Sequence, residues 1–129
     1  YLLQKGRAYI FTTAQPPAIA CALLKSLHLI KNGDTLRAKL MARIGQLRDG
    51  LASLQLKLLP SLTAIQPLVV GENDPAVALS KALWERGLWV PAIRPPTVPK
   101  GTARLRISVS AAHTEADITQ LITALKELS

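Results

Sequence analysis

Residues 103–110 alternate strictly between apolar and polar side chains, and no other stretch restricts the fold of the chain as strongly. The four apolar and four polar positions follow one another as Ala103, Arg104, Leu105, Arg106, Ile107, Ser108, Val109 and Ser110. Successive side chains of a β-strand point to opposite faces, so the pattern predicts a strand with one buried face. Its register is fixed, because a slip of one residue would bury both arginines.

A proline-rich loop over residues 90–102 precedes this strand and carries Arg94 and Thr97. Its four prolines stiffen the backbone, since each fixes its own φ. A guanidinium on a stiff support is suited to bind a carboxylate or a phosphate through two parallel hydrogen bonds. The sequence therefore predicts an anion-binding site formed by Arg94, Thr97 and Arg106.

Helical periodicity and capping residues predict four helices, and short β-prone runs predict three more strands. The helices are expected at 16–31, 34–54, 73–86 and 115–128, and the strands at 8–11, 64–71 and 88–90. Pro67 in the second of these strands predicts an edge position or a bulge, since proline has no N–H for a neighbouring strand. The fold class is α+β: a small, mostly antiparallel sheet covered by helices and preceded by two long helices.

A chain of 129 residues can form one core, and with only five aromatic residues that core must be aliphatic. The single cysteine, Cys21, excludes an internal disulfide, and its apolar helical surroundings predict a buried thiol. The helix over 16–31 is apolar nearly all round, so part of it is expected to meet another subunit or a further domain. We expect a cytoplasmic protein, because there is no secretory signal and no apolar run that could span a bilayer.

The net charge of +8 raises the alternative of an autonomous basic module that binds nucleic acid. Seven of the 16 basic residues lie opposite the leucines of two predicted helices, with no aromatic residues among them for base stacking. These residues are Lys25, Lys31, Arg37, Lys39, Arg43, Arg48 and Lys57. A solvated helix face is therefore the preferred interpretation. The sequence also contains no general acid–base pair, no metal-ligand cluster and no glycine-rich phosphate loop.

Four segments resemble the carboxy-terminal part of the pyridoxal-phosphate-dependent α-oxoamine synthases. They are I-R-P-P-T-V-P at 93–99, G-T-A-R-L-R at 101–106, S-A-A-H-T at 110–114 and Y-I-F-T-T-A-Q-P-P-A at 9–18. The first is the most specific and favours the alanine-using branch of that family over its glycine-using relatives. The resemblance implies that residues 1–33 end a large cofactor domain and face the dimer. Residues 34–129 would then be the small carboxy-terminal α+β domain of a fold-type I enzyme.

The resemblance implies an acyltransferase that condenses L-alanine with a pimeloyl thioester, with loss of CO₂, in biotin biosynthesis. Arg106 matches the arginine that holds the amino-acid carboxylate, and Thr97 matches a substrate-contacting threonine. Arg94 matches a position at which either the distal carboxylate of the acyl chain or the carrier end of the acyl donor would bind. The carrier is either coenzyme A or an acyl carrier protein. Thr12 and Thr13 match a loop that reaches the pyridoxal phosphate of the partner subunit in a homodimer. The alternative is a glycine-using sibling similar to 2-amino-3-ketobutyrate CoA ligase.

Three cofactor-binding residues of that family are expected upstream of Tyr1: the Schiff-base lysine, the aspartate on the pyridine nitrogen and the ring-stacking histidine. No lysine of this chain stands in the small-residue and glycine context that the family's lysine has. The lysines are Lys5, Lys25, Lys31, Lys39, Lys57, Lys81, Lys100 and Lys126. We therefore expect a carboxy-terminal fragment of a longer enzyme, without catalytic residues of its own and inactive alone. His113 is interpreted as a structural residue at the start of the last helix.

Overall fold

The computed structural model describes residues 1–14, 16–52, 54 and 57–128. The chain forms two compact units, Tyr1–Asp34 and Thr35–Ser129. The assignment of residues 1–33 to the end of a large cofactor domain stays a prediction. No helix within the described ranges is long and apolar enough to cross a membrane.

The first unit consists of helices: α1 Leu2–Lys5, α2 Arg7–Ile10 and α3 Pro17–Lys31. The strand predicted at 8–11 is wrong, because this segment closes local bonds such as the one from the Ile10 N–H to the Gly6 carbonyl, 2.9 Å long. A strand requires a neighbouring strand, whereas a helical turn satisfies its own backbone. The prediction of a buried Cys21 is also wrong within this chain, since the thiol is exposed, as are the other residues of α3.

The second unit is a four-stranded antiparallel sheet packed against three helices, which confirms the predicted fold class. The strands lie in the order β1, β2, β4, β3 across the sheet. The strands are β1 Lys57–Leu58, β2 Ile65–Gly71, β3 Ala92–Ile93 and β4 Ala103–Ser108, and the helices are α4 Asp34–Leu51, α5 Asn73–Glu85 and α6 Glu115–Leu128. The predicted alternation is confirmed: every apolar position of 103–109 is buried, and the core is aliphatic.

Pro67 lies in an interior strand, so the predicted edge position is wrong, and the irregularity of β2 falls between Val69 and Gly71 instead. The carbonyl of Pro67 accepts a hydrogen bond from the N–H of Leu59, 3.0 Å away. Proline cannot return that bond, and the Leu59 carbonyl instead accepts a long contact of 3.4 Å from the guanidinium of Arg48. A helix side chain thereby takes the place of the missing backbone donor.

Gln66 is the buried polar residue of the core, and it connects α4 to the sheet. Its Oε1 accepts a 2.6 Å hydrogen bond from Arg48, and its Nε2 donates a 2.6 Å bond to the carbonyl of Thr63. Both ends of the amide are therefore satisfied, as a buried polar group requires.

The strand predicted at 88–90 is wrong by a few residues, because β3 begins at Ala92. The hydroxyl of Ser80 in α5 donates a 2.7 Å hydrogen bond to the carbonyl of Val90, so this carbonyl is taken by a helix instead of a strand. Pairing with β4 starts at Pro91, whose carbonyl accepts the N–H of Arg106 at 2.9 Å.

Candidate functional site

The polar face of β4 carries the predicted Arg106, which is exposed. Arg106 lies opposite Pro67 of β2 on one side, and its backbone is held by Pro91 on the other. Ser108 follows on the same face, opposite Ile65. Arg106 thus stands on the exposed face of β4, where the residue opposite it on β2 is the apolar Pro67.

Arg104 occupies the preceding position on this face, between Val69 of β2 and Ile93 of β3. Its Nε donates to the Thr102 carbonyl at 3.0 Å, and its Nη2 donates to the Thr102 hydroxyl at 3.1 Å. Arg104 is therefore held by hydrogen bonds to Thr102, whereas the guanidinium of Arg106 has no such partner among the described residues.

Among the arginines of the second unit, Arg94 and Arg106 have guanidinium groups that form no hydrogen bond or ion pair with any described residue. The other five, which do interact with other residues, are Arg37, Arg43, Arg48, Arg86 and Arg104. The two arginines predicted to bind anions are therefore the two of the second unit that have no side-chain partner among the described residues, and their anion-binding role stays a prediction.

The predicted solvated basic face needs correction at three of its seven positions. Arg43 is partly buried and pairs with Glu115 at 2.8 Å, and Arg48 is partly buried against Gln66. Lys57 lies in strand β1 instead of a helix. Two of the seven charges therefore fasten α4 to the rest of the second unit, which reduces the basic surface offered to nucleic acid.

Thr97 and Arg94 lie in one turn of the proline-rich loop, but only Arg94 lines a cleft. Thr97 is exposed in a turn in which its N–H donates to the Arg94 carbonyl at 3.0 Å, and the Pro95–Pro96 peptide bond is cis. Arg94 lines a cleft against α5, and Arg106 is not among the residues of that cleft. The structure does not bring Arg94 and Arg106 to a common cleft, so their joint role stays a prediction.

The cleft at Arg94 contains both tryptophans of the chain, which the sequence reasoning did not single out. Trp84 and Trp89 are 62% and 80% exposed, and their rings meet edge to face with centroids 6.4 Å apart. The sequence held one indication of this pairing. Trp84 and Trp89 lie on either side of Gly87, which ends the helix, and a short turn brings the residues before and after it close together.

Thr12 and Thr13 are exposed in the first unit, and they differ in what their hydroxyls do. The hydroxyl of Thr12 donates a 2.7 Å hydrogen bond to the carbonyl of Tyr9. The hydroxyl of Thr13 has no hydrogen-bond partner in the described part of the chain. Thr13 is therefore the better placed of the two to donate a hydrogen bond to a phosphate.

A second cleft, of about 510 Å³, lies between residues 87–90, the end of β4 and the first half of α6. Two of its polar lining residues, His113 and Asp117, already serve the start of α6. The His113 Nδ1 accepts a hydrogen bond from the Ser110 N–H at 3.1 Å, and Asp117 accepts one from the Thr114 N–H at 2.7 Å. Backbone and side-chain hydrogen bonds from Thr114, helped by the nearby His113, lower the pKa of Asp117. Both residues are thus structural, as expected for His113. Within the described ranges, no cluster of three His, Cys, Asp or Glu residues could hold a metal.

Residues 1–125 match the family model described as aminotransferase class I and II, and the chain therefore belongs to that family. Within it, the chain is similar to curated 8-amino-7-oxononanoate synthases. It is 86% identical to that of Dechloromonas aromatica over 129 residues and 58% identical to that of Herminiimonas arsenicoxydans over 128 residues. These alignments cover 100% and 98% of the chain but 33% of each relative, so the chain spans about a third of their length. The resemblance seen in the sequence is confirmed.

Solved structures give the same family. The serine palmitoyltransferase of Sphingomonas wittichii superposes with a TM-score of 0.85 at 29% identity, over 98% of this chain and 33% of that one. The 8-amino-7-oxononanoate synthase of Francisella tularensis superposes with a TM-score of 0.81 at 32% identity, over 99% of this chain and 36% of that one.

Proposed function

We propose that this chain is the carboxy-terminal part of a synthase that condenses L-alanine with a pimeloyl thioester, releasing CO₂, in biotin biosynthesis. The observation that carries the proposal is the 86% identity, over the whole chain, to a protein named 8-amino-7-oxononanoate synthase. The unengaged guanidinium of Arg106 supports it independently, because an amino-acid substrate needs a partner for its carboxylate.

Arg106 holds the carboxylate of L-alanine through the two parallel N–H donors of its guanidinium. Its backbone is fixed between β2 and β3, so the side chain starts from a rigid position. This fixed origin orients the amino acid, which is the contribution that a positioning arginine makes to rate. Thr97, exposed in the stiff loop before β4, contacts the substrate through its hydroxyl.

Pyridoxal phosphate is the cofactor of the intact enzyme, and when bound it supplies an electron sink for the carbanion formed at the substrate Cα. The hydroxyl donors at Thr12 and Thr13 fit its phosphate. Thr13 donates to that phosphate in the partner subunit, since the hydrogen of Thr12 is already used by Tyr9. The anchoring lysine lies in the part of the enzyme beyond this chain. The chain alone is then inactive and gives no borohydride-reducible absorbance band with the cofactor.

The intact enzyme is a cytoplasmic homodimer. Support for the dimer comes from α3, whose large apolar side chains are exposed in this chain. The exposed fractions of Leu23, Leu24 and Leu27 are all above 60%. A contiguous apolar surface of this kind is normally covered by further protein. Arg94 binds the acyl donor, either at the distal carboxylate of its acyl chain or at its carrier end.

The test is an assay of the intact enzyme with pimeloyl thioesters and either L-alanine or glycine, with the product identified by mass. The proposal expects the aminoketone derived from alanine, with CO₂ released in equal amount. A preference for glycine would show that the enzyme is the glycine-using sibling synthase instead. Absence of product with either amino acid would exclude both the alanine-using and the glycine-using synthase.

A further inference from the structure

Arg106 lies opposite a proline in the sheet, and the backbone bonds on either side show how close the two side chains are. Its partner in the neighbouring strand β2 is Pro67. The N–H of Arg106 points away from this pair and donates to the Pro91 carbonyl at 2.9 Å. The Pro67 carbonyl points the other way and accepts the N–H of Leu59 at 3.0 Å. The pair therefore shares no backbone hydrogen bond, the arrangement that brings opposite side chains of an antiparallel sheet closest together.

We propose that Pro67 is a positioning residue for Arg106: its ring flanks the methylene stem of the arginine and directs the guanidinium toward the carboxylate of the amino-acid substrate. This inference rests on the proposed function, in which Arg106 binds that carboxylate. Side chains directly opposite each other have Cβ atoms about 4.5–5.5 Å apart. At that distance the rigid ring, half-buried in an interior strand, removes some of the rotamers that an arginine stem otherwise samples.

The preceding arginine on this face is fixed in a different way. Arg104 lies opposite Val69, and its guanidinium is held by two hydrogen bonds to Thr102. Those bonds occupy donors that a ligand would need. Packing against an apolar ring uses none of the N–H donors of Arg106. An arginine oriented by Pro67 therefore keeps its complete planar fork for two parallel hydrogen bonds to a carboxylate.

Backbone pairing does not explain a proline at this position. A proline inside a sheet leaves the carbonyl opposite it without a backbone donor. That carbonyl belongs to Leu59, and the guanidinium of Arg48 approaches it at a long 3.4 Å. Arg48 also donates its shorter 2.6 Å bond to Gln66. Another residue at position 67 would supply an N–H to the Leu59 carbonyl, so the side of Pro67 that faces Arg106 accounts for its presence.

The experiment titrates the intact holoenzyme with L-alanine and with glycine, following the cofactor absorbance. Pro67→Ala should weaken binding of the amino acid that the enzyme uses by about threefold to tenfold, because a long side chain must then be ordered on binding. Pro67→Val returns apolar bulk beside the stem and should recover most of the affinity. Val69→Ala, on the same strand and face but opposite Arg104, is the matched control and should leave the affinity within about twofold.

Two further measurements separate positioning from a general structural effect. In an Arg106→Ala background, Pro67→Ala should change amino-acid binding by less than about twofold, because the side chain through which the proline acts is gone. Urea unfolding of Pro67→Ala should show no greater loss of stability than Val69→Ala, since the new N–H can donate to the Leu59 carbonyl.

Three results would each overturn the positioning role: unchanged affinity in Pro67→Ala, an equal loss in Pro67→Val, or an equal loss in the presence and absence of Arg106. Activity with alanine together with unchanged alanine affinity in Pro67→Ala removes this inference alone. A preference for glycine, with glycine binding weakened by Pro67→Ala, keeps this inference and removes the proposed function, because both amino acids carry the same carboxylate.

Discussion

Arg104 and Arg106 project from the same face of β4, and the guanidinium of Arg104 donates hydrogen bonds to Thr102, whereas that of Arg106 has no hydrogen-bond or ion-pair partner among the described residues. Thr102 itself is fixed, because its hydroxyl donates to the Pro99 carbonyl at 2.7 Å. The end of the proline loop thus holds the side chain of Arg104 but not that of Arg106. Two arginines that are two residues apart on one strand therefore differ in what their guanidinium groups contact.

Arg106→Ala in the intact enzyme should weaken alanine binding by roughly 2–4 kcal/mol, because a charge-assisted pair is lost. Arg106→Lys should also weaken it, since a point charge cannot copy the two parallel donors. Binding is measured by titrating the holoenzyme with L-alanine and following the cofactor absorbance. Arg86→Ala, which removes a surface pair with Glu127, is the control. Unchanged alanine affinity in Arg106→Ala would remove this residue from the role.

Thr13→Val should lower the affinity for pyridoxal phosphate by roughly 1.5–3 kcal/mol, the usual contribution of a hydrogen bond to a charged group. Thr12→Val is the matched variant, and its effect should be small because its hydroxyl hydrogen is already donated to Tyr9. Cofactor dissociation constants of the two purified enzymes decide between the residues. A larger loss in Thr12→Val would reverse the assignment.

Gly45→Ala and Gly50→Ala, in the same helix α4, should change stability in opposite directions. A Cβ at Gly45 would have no atom within 4 Å. Alanine at this position should therefore raise the free energy of unfolding by about 0.5–1 kcal/mol through its higher helix propensity. A Cβ at Gly50 would overlap the Cδ1 of Ile122 and lie 3.0 Å from its Cγ1, so alanine should destabilise by roughly 1–3 kcal/mol. Urea unfolding measures both. Stabilisation by Gly50→Ala would contradict the close packing of α4 on α6.

The start of α6 should show an acid-dependent stability that depends on Asp117. Hydrogen bonds from Thr114, backbone first, and then the charge of His113 hold the pKa of Asp117 below its ordinary value of 3.8. The unfolded chain therefore takes up this proton more readily, and the stabilisation is complete above pH 3.8 and is lost as the pH falls through the lowered pKa. Thermal unfolding between pH 6 and pH 3 should show a smaller acid dependence in Asp117→Asn.

Asp49→Asn, which removes a carboxylate from α4 instead, is the control for charge alone and should retain the acid dependence of the unmodified protein. Thr114→Ala tests the other half of the same motif. It should cost about 1 kcal/mol at neutral pH, because the Asp117 N–H loses the hydroxyl oxygen that accepts it at 3.2 Å. A Thr114→Ala variant as stable as the unmodified protein would contradict the reciprocal cap.

Features that depend on near neighbours in the chain could be predicted from the residues alone. The alternation of 103–109 and the spans of α3 and α5 follow from side-chain periodicity and local backbone preferences. The segment at 8–11 shows the limit of this reasoning, because its β-prone residues form a helix where no strand lies alongside.

The interior position of β2 could not be predicted from the residues alone, since the donor that proline lacks is replaced by Arg48 from a distant helix. The same is true of which arginines lack a side-chain partner among the described residues, and of the cleft that brings Trp84, Trp89 and Arg94 together. These features depend on contacts between residues that are distant in the sequence. Local propensity carries no information about such contacts, because the partner of a side chain is determined by the packing of the fold and not by its position in the chain.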